Sequence, residues 1–304
     1  MPIKATPYEH QKKAFAFACD KFGVFDNQLK SRGTALLMEM GTGKTIVSIA
    51  VSGCMYQYGK INRVLVVAPL SILGVWEEEF AKFADFPYSL AILKGTVAKK
   101  KEQLTKLPEE GLQVVVVNYE SAWRLEKELL AYNPDLVIAD EAHKLKENRS
   151  KQSQGMQHIG DKAKYKLLLT GTVITNRELD VFSQYRFLNP QIFGMSFYAF
   201  CNRYFDMGGY GNHTLIFRKW TMDDFLKKLH SVAFRVTKAE CLNLPEITEE
   251  VRTVELEKDA AKIYDSIETD SYVKMGKSEV TTANILTRML RLSQLTGCHL
   301  TDDD

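Results

Sequence analysis

Short apolar runs alternate with amphipathic segments along most of the chain. Five runs have the length and content of strands buried on both faces of a parallel sheet, namely 34–38, 63–69, 114–118, 136–139 and 165–169, with a weaker candidate at 89–93. Between them, apolar residues recur at helical spacing, as in the segments that end near Phe22, Met55 and Phe83. Strands that alternate with helices predict an α/β fold with a mostly parallel, doubly wound sheet.

Aromatic residues crowd the segment 188–220, with arginine and lysine between them. Two interpretations are open: a stacking platform for single-stranded nucleic acid, or the core of a small helical insertion. We favour the core, because aromatic side chains regularly fill cores. Further on, 249–256 alternates and predicts a returning strand, while 259–275 and 282–295 predict amphipathic helices. The apolar face of 282–295 offers a surface for another lobe or a second copy.

Three polar motifs each come directly after a predicted strand. They are the loop 41–45, the pair Asp140-Glu141, and the turn Thr170-Gly171-Thr172. In a parallel sheet the carboxyl ends of the strands meet at one edge, where ligands bind. The sequence therefore predicts a single site built from all three motifs.

The loop MEMGTGKT lies between a predicted strand and a predicted helix. Its glycines, Gly41 and Gly43, let the backbone approach phosphate oxygens, and with Thr42 they present N–H groups at a helix N-terminus. Lys44 is expected to reach the β- and γ-phosphates of ATP, and the Thr45 hydroxyl to bind Mg²⁺. The strict phosphate-loop pattern requires glycine at position 38, where this chain has methionine, so support from other motifs is needed.

The pair after the strand 136–139 is the second strong signal. Asp140 is expected to hold Mg²⁺ through water, and Glu141 to polarise the attacking water, so that Lys44, Asp140 and Glu141 form the catalytic set. His143 is either a residue that couples nucleotide state to motion or a local hydrogen-bonding group.

Two further features, a turn and a single glutamine, have two interpretations each. Thr170, Gly171 and Thr172 either couple the site to a second lobe or form a simple polar turn. Gln11 either pairs with the adenine edge through its amide or is an exposed helix residue.

Composition adds little to this interpretation. The chain has 304 residues, 45% of them hydrophobic and 26% charged, with a net charge of +2 from 40 basic and 38 acidic residues. That balance excludes a strongly basic coat protein but not a local basic groove. The triple lysine 99–101 is interpreted as a solvated polar loop. The five scattered cysteines contain no C-x-x-C pair and predict buried free thiols.

No apolar run is long enough to span a bilayer, and the N-terminus lacks an apolar signal segment. We therefore expect no membrane partner and a cytoplasmic location.

The ordered motifs resemble the SWI/SNF-type helicase-like ATPases of helicase superfamily two. PYEHQ is similar to the adenine-contacting start of that family, MEMGTGKT to its motif I, VLVVAPLSILGVWEEEF to its motif Ia, and VVNYES to its next nucleic-acid-facing segment. The family usually has an acidic residue where this chain has Met38. The continuation DEAHKLKENRSKQSQ is the most discriminating piece, because DEAH-type RNA helicases share only its first four letters.

The resemblance covers nearly the whole chain and implies a RecA-like P-loop NTPase lobe over 1–256, with a helical insertion at about 186–231. A helical extension over 257–304 would lead to a second RecA-like lobe, which these residues lack. It implies ATP and Mg²⁺ as ligands and double-stranded DNA as partner, with DNA contacts near Ser71, Asn118, Lys144 and Lys146. The compact form resembles bacterial or phage members, which would place it at the nucleoid or in the host cytoplasm.

Two other functions remain open. The substrate could be RNA or single-stranded nucleic acid, although the continuation after DEAH favours duplex DNA. A nucleotide-gated binding module that never hydrolyses ATP is the alternative from another class, and Glu141 argues against it, because a module without turnover has no use for that carboxylate.

Overall fold

The structure is a computed structural model that describes residues 1–108, 110–171, 177–208, 211, 214–241, 250, 253–269, 272–275, 278–281 and 285–297. Contacts along the chain divide it into two compact units, Met1–Leu244 and Pro245–Asp304. The predicted lobe over 1–256, its insertion at about 186–231 and the extension over 257–304 stay predictions.

The first unit is built from alternating strands and helices. Its strands are β1 (Gly33–Met38), β2 (Arg63–Ala68), β3 (Tyr88–Ile92), β4 (Leu112–Asn118), β5 (Leu136–Ala139), β6 (Tyr165–Thr170), β7 (Phe205–Gly208), β8 (Thr214–Phe217) and β9 (Ala233–Val236). Its α-helices are α1 (Glu9–Lys21), α2 (Lys44–Gln57), α3 (Leu73–Phe83), α4 (Val97–Thr105), α5 (Tyr119–Arg124), α6 (Glu126–Tyr132), α7 (Lys151–Lys162), α8 (Asp180–Leu188), α9 (Pro190–Phe193), α10 (Phe197–Tyr204), α11 (Met222–His230) and α12 (Lys238–Cys241).

Seven of these strands form one sheet in the order β3-β4-β2-β5-β6-β1-β9, and every neighbouring pair is parallel. β6 lies between β1 and β5, with Leu37 opposite Thr170 and Ala139 opposite Leu168. The predicted α/β fold with a doubly wound, mostly parallel sheet is confirmed. The six predicted strands of the first half are all present, with ends that differ by one or two residues.

Two hydrophobic cores cover the two faces of the sheet. Side chains alternate along a strand, so neighbouring residues point to opposite faces. Leu36 and Val66 pack on the side of α1, α2 and α3, whereas Leu37 and Val67 pack on the side of α5 to α8. Both faces are therefore apolar, which explains why the strands read as continuous apolar runs.

The prediction of a polar loop at 99–101 is wrong. These lysines lie in α4, which begins after Thr96, whose hydroxyl oxygen accepts a hydrogen bond from Lys99 N. Lys100 Nζ donates to Ser121 Oγ at 2.5 Å, and Lys101 forms a salt bridge with Glu128 at 2.5 Å. The helix is stabilised by its cap and by these contacts, and it has too few apolar residues to show helical periodicity in the sequence.

The aromatic segment forms a core, as we favoured. Phe193, Phe200, Tyr204 and Phe205 are at least nine-tenths buried and contact one another or Phe225 through their rings. The antiparallel hairpin β7-β8 adds Phe217 to this cluster. Among the described residues of the segment, Tyr198 and Trp220 do not join this core and have 75% and 77% of their surface exposed.

The second unit contains α13 (Lys258–Thr269), the antiparallel strands β10 (Tyr272–Met275) and β11 (Ser278–Thr281), and α14 (Ile285–Thr296). The helix predicted over 259–275 is therefore too long, because its last residues form a strand. Residues 250 and 253–256 are not in a strand, so the returning strand is wrong for the described part of 249–256. The apolar residues Ile285, Leu286, Met289 and Leu290 of α14 are all exposed.

The described cysteines are all free thiols. Cys19, Cys54 and Cys201 are buried free thiols and Cys241 is a partly buried one, as predicted, while Cys298 lies outside the described residues. Within the described part of the chain, no helix combines the length and apolar character needed to cross a membrane.

Candidate functional site

The three polar motifs follow neighbouring strands at the carboxyl edge of the sheet. The loop after Met38 continues β1, Gly171 follows β6, and Asp140 follows β5. Because β6 pairs with both β1 and β5, the phosphate-loop candidate and the acidic pair flank the end of one strand. The structure therefore brings the first two motifs and the described part of the third to one place.

The loop between β1 and α2 has the backbone of an anion cradle. Gly41 and Gly43 have φ angles of 82° and 92°, a region that residues with a side chain rarely adopt. Helix α2 begins without a side-chain cap and has no acidic residue in its first turn, so no side chain of the described residues accepts from its terminal N–H groups. Lys44 Nζ donates to Met38 O at 3.0 Å, which turns this ammonium back over the loop.

Helix α1 holds this loop from one side. His10 Nε2 and Gln11 Nε2 lie 2.8 and 3.2 Å from Thr42 O, and Gln11 Oε1 accepts from Tyr8 N at 3.0 Å. Gln11 is only 6% exposed, so it is not the solvent-facing helix residue that one interpretation expected. An added Cβ at Gly43 would meet Gln11 Nε2 at 2.3 Å, which shows how closely the two elements pack.

Asp140 is a buried carboxylate whose pKa is raised. Burial raises its pKa to about 6, against the opposing effect of a hydrogen bond from Trp76 Nε1 to Oδ2 at 3.0 Å. Oδ1 accepts a second hydrogen bond from Glu141 N at 2.9 Å, and the positive charge of Lys44 also lowers this pKa. Two donors therefore fix the orientation of the carboxylate, while its burial still disfavours the ionised form.

Glu141 has a left-handed backbone with a φ angle of 47°, which is strained for a residue with a long side chain. Its Oε2 lies 3.2 Å from His143 Nδ1, and both side chains are partly exposed. Tyr119 OH donates to Asp140 O at 2.7 Å from below the turn. The turn thus holds Asp140 inward and Glu141 toward the opening of the site.

Thr170 is fully buried at the end of β6, and Gly171 lies against the loop. A Cβ added at Gly171 would stand 3.6 Å from both Met38 O and Met40 N. Thr172 lies outside the described residues.

Two clefts next to the acidic pair contain most of the predicted DNA-binding residues. The first, of about 670 Å³, is lined by Ser71 and Lys144, and the second, of about 500 Å³, by Lys144 and Lys146. The second also contains His143 and Lys151, whose ammonium lies 5.1 Å from the centre of the Trp123 ring. Asn118 lines neither cleft: it is 6% exposed and its Nδ2 donates to Glu120 at 2.6 Å.

A family model described as the SNF2-related domain matches residues 10–299. The chain belongs to this family. Switch 2 of Arabidopsis thaliana is 31% identical over 199 residues, which cover 61% of this chain and 22% of that protein. The DNA repair and recombination protein RAD54-like of Drosophila ananassae is 29% identical over 204 residues, covering 62% of this chain and 24% of the relative. The aligned part is thus about a quarter of the length of these relatives.

The SNF2-related domain also resembles a solved structure, the Sulfolobus solfataricus SWI2/SNF2 ATPase core in complex with dsDNA. The two share 26% identity with a TM-score of 0.64, and the match covers 97% of this chain and 59% of that chain. This likeness agrees with the RecA-like lobe that the family resemblance implied.

Three contacts of this SNF2-related domain were not predicted from its sequence. They are the bond from Trp76 to Asp140, the bond from Tyr119 to the same residue, and the bond from Lys238 N to Glu39 Oε2 at 2.8 Å. The last one ties the loop to the end of β9, 199 residues further along the chain. Each partner lies in a different strand–helix unit, so no local pattern indicates the pair.

Proposed function

We propose that this chain is the ATP-binding lobe of a DNA-dependent ATPase, a helicase-like translocase that couples ATP hydrolysis to movement on double-stranded DNA. The observation that carries the proposal is the placement of the loop 39–45 and the pair Asp140-Glu141 on both sides of the end of β6. A phosphate held by the loop would lie beside the only described acidic pair that follows a central strand.

The phosphates of ATP fit the loop. Gly41 and Gly43 keep the backbone open, and the uncapped start of α2 presents N–H groups and the positive end of the helix dipole. We propose that Gly41 to Thr45 hold the phosphates and that Lys44 moves from Met38 O to the β- and γ-phosphates. Gln11 contacts the loop, and the exposed ring of Tyr8 stacks on the neighbouring His10, on the side where we place the adenine.

The residues present also fit Mg²⁺. Thr45 is partly exposed and its hydroxyl makes no hydrogen bond with the described residues, while Asp140 is a buried carboxylate held by two donors. Hydroxyl and carboxylate oxygens are the ligands that this hard cation prefers. Thr45 and Asp140 would hold the ion, directly or through water, and a bound Mg²⁺ would neutralise charge on the phosphates.

Glu141 is placed to accept a proton from water or to orient it. Its side chain is the more exposed member of the pair, and His143 lies against its oxygen. We propose that His143, Thr170, Gly171 and Thr172 couple the occupied site to movement of a second lobe, because they connect the acidic turn and the loop to the neighbouring surface.

Calorimetric titration of the chain with ATP and Mg²⁺ tests the nucleotide site. Lys44→Ala should weaken binding at least about tenfold, because a charge-assisted contact contributes about 1.5–3 kcal/mol. Lys60→Ala removes the same charge just beyond the other end of α2 and should leave binding unchanged. Equal affinities for the wild type and Lys44→Ala would contradict the proposed site.

Hydrolysis by the chain alone should be slow. We propose that a second lobe supplies arginines to the γ-phosphate, and such arginines contribute about 10³–10⁵ in rate where they have been measured. Steady-state phosphate release by the isolated chain, with and without duplex DNA, measures this directly. Rapid turnover stimulated by DNA would show that no second lobe is required.

The two clefts beside the acidic pair support DNA as the partner. Lys144 and Lys146 line them without forming a salt bridge to any described acidic residue. The related Sulfolobus solfataricus core was solved with dsDNA. We propose that Ser71, Lys144 and Lys146 contact backbone phosphates directly, and that the buried Asn118 acts by positioning the turn that follows β4.

Fluorescence anisotropy with duplex DNA between about 50 and 200 mM salt tests this interface. Lys144→Gln and Lys146→Gln should each weaken binding and make the slope of log K against log salt concentration shallower by about one. Lys164→Gln, at the start of β6, should change neither the affinity nor this slope. Parallel titrations with single-stranded DNA and RNA decide between the nucleic-acid substrates. A preference for RNA would contradict the duplex DNA assignment. A cytoplasmic location stays a prediction.

A further inference from the structure

A cavity of about 550 Å³ opens at the amino edge of the sheet, opposite the carboxyl edge that carries the loop and the acidic pair. It lies where β1 and β6 begin, and Ser31, Arg32, Asp161, Lys166 and Asn189 contribute polar groups to its lining. None of these residues belongs to the nucleotide or DNA sites proposed above. The cavity is therefore a separate feature of the fold.

Lys166 is the unusual residue of this cavity. Only 3% of its surface is exposed, yet its ammonium makes no hydrogen bond or salt bridge with any residue in the described part of the chain. Asp161 is the nearby acid, but both of its oxygens accept hydrogen bonds from Arg186 at 2.8 Å. A largely buried charge that makes no hydrogen bond is costly, and an external anion would compensate for it better than the already engaged Asp161 does.

The surroundings of Lys166 carry excess positive charge. Burial has the largest effect and brings the pKa of Lys166 to about 8; the charge of Asp161 opposes this shift, while Arg186 and Arg32 lower the pKa further. The Arg32 side chain is exposed and forms no hydrogen bond or salt bridge within the described residues. Asn189 Nδ2 donates to Ser31 Oγ at 3.2 Å, which keeps one amide hydrogen free to point elsewhere.

We propose that this cavity binds a small phosphomonoester, with the phosphate held by Lys166 and Arg32. A guanidinium fork and a compact ammonium are the groups that proteins commonly use for phosphate. The remaining lining includes Leu29, Pro190 and Met195, of which Met195 is 68% exposed. Together with the amide of Gln191 in the same lining, these surfaces offer both apolar contact and hydrogen bonding to a sugar, the organic body that inorganic phosphate lacks.

The anion site is independent of ATP binding. It lies at the start of β1 and β6, whereas the phosphate loop and Gly171 lie at their ends. A ligand that uses the cavity should therefore bind equally well when the phosphate loop is disabled. This expectation separates the proposal from any weak occupation of the ATP site by a phosphorylated sugar.

Isothermal titration calorimetry with ribose 5-phosphate, in a buffer free of phosphate, tests the proposal. The wild type and Lys44→Ala should bind with the same affinity, and Lys166→Met should bind at least tenfold more weakly. Lys164→Met is the matched control, because this exposed lysine lies two residues away and does not line the cavity. It should bind like the wild type.

Arg32→Gln gives a second variant that does not alter a buried residue, and it should also weaken binding at least tenfold. Undiminished binding by both Lys166→Met and Arg32→Gln, or no saturable binding by the wild type, would overturn the proposal. Binding of inorganic phosphate without binding of ribose 5-phosphate would overturn the monoester assignment. Displacement of ribose 5-phosphate by duplex DNA would assign the cavity to DNA phosphates instead.

Discussion

Trp76 Nε1 donates a hydrogen bond to Asp140 Oδ2 at 3.0 Å, and it joins α3 to the turn after β5. Trp76 is 1% exposed, so its indole N–H is shielded from water and has this carboxylate as its partner. A hydrogen bond to the charged form favours ionisation, whereas burial opposes it. Trp76 therefore helps to keep Asp140 ionised in an apolar setting.

Trp76→Phe should raise the pKa of Asp140 above its present value of about 6, because the donor is lost while burial remains. Mg²⁺-dependent ATP affinity, measured from pH 6 to pH 8.5, should then fall off at a higher pH than in the wild type. Phe80→Leu is the control, since Phe80 is a buried residue of the same helix and makes no bond to Asp140. An unchanged pH profile in Trp76→Phe would contradict this role.

Gly43→Ala should destabilise the chain more than Gly59→Ala. Both glycines have positive φ angles, 92° and 64°, so alanine costs about 1–2 kcal/mol at either position. A Cβ at Gly59 has nothing within 4 Å, whereas one at Gly43 meets Gln11 Nε2 at 2.3 Å. This overpacking should add about 1–3 kcal/mol, measured by urea unfolding. Adding Gln11→Ala should recover part of the difference, and a purely additive double variant would count against the contact.

Much of the fold could be predicted because its signals are local. The strands 63–68 and 136–139 are continuous apolar runs, since each is buried on both faces, and Gly41 to Thr45 form one contiguous loop. The parallel direction of the strands then follows from their alternation with helices. The meeting of the loop and Asp140 at one edge required only that the strands be parallel.

The missed features depend on distant residues. Trp76 and Asp140 are 64 positions apart, and nothing around Trp76 distinguishes its helix position from an ordinary core residue. Lys166 looks like an exposed polar residue at a strand start, and only the folded structure shows it 3% exposed beside a cavity that the distant Asn189 also lines. The helix that contains Lys99 to Lys101 was missed although its cap is local. A capped surface helix needs few apolar residues, so its sequence shows little helical periodicity.

Glu141→Gly should have two effects: it should stabilise the fold and abolish ATP hydrolysis. The φ angle of 47° at Glu141 costs a residue with a side chain about 1–2 kcal/mol, and glycine removes that cost. Urea unfolding should show a gain of about 1 kcal/mol, reduced by the extra freedom of glycine in the unfolded chain. ATP binding should persist while phosphate release, assayed with a second lobe present, is lost.

Asn133→Gly is the control for that change. The φ angle of Asn133 is 52°, but asparagine tolerates this region better than glutamate does. Asn133 lies at the end of α6, away from the site. We expect a smaller gain in stability and normal hydrolysis. If Glu141→Gly hydrolyses ATP at the wild-type rate, the role proposed for this carboxylate is wrong.

Lys166→Met should stabilise the chain at pH 7 in the absence of phosphate. Burial lowers the pKa of Lys166 from 10.5 to about 8 in the folded state, so below pH 8 the folded chain carries the whole cost of the buried charge. Between about pH 8 and 10.5 the unfolded chain binds more protons than the folded one, so this cost declines as pH rises. The shift corresponds to at most about 3 kcal/mol.

Urea unfolding at pH 7 and pH 9.5 measures this effect. The difference in free energy of unfolding between two variants at one pH removes the contribution of all other titrating groups, because both variants share them. The free energy of unfolding of Lys166→Met should be clearly higher than that of the wild type at pH 7, and only slightly higher at pH 9.5. Lys164→Met, which removes an exposed lysine beside the same strand, should match the wild type at both values. Adding ribose 5-phosphate at pH 7 should stabilise the wild type and not Lys166→Met, because only the wild type retains the cation that the ligand would neutralise. A Lys166→Met chain that is no more stable than the wild type at pH 7 would show that the ammonium already has sufficient compensation in the folded state.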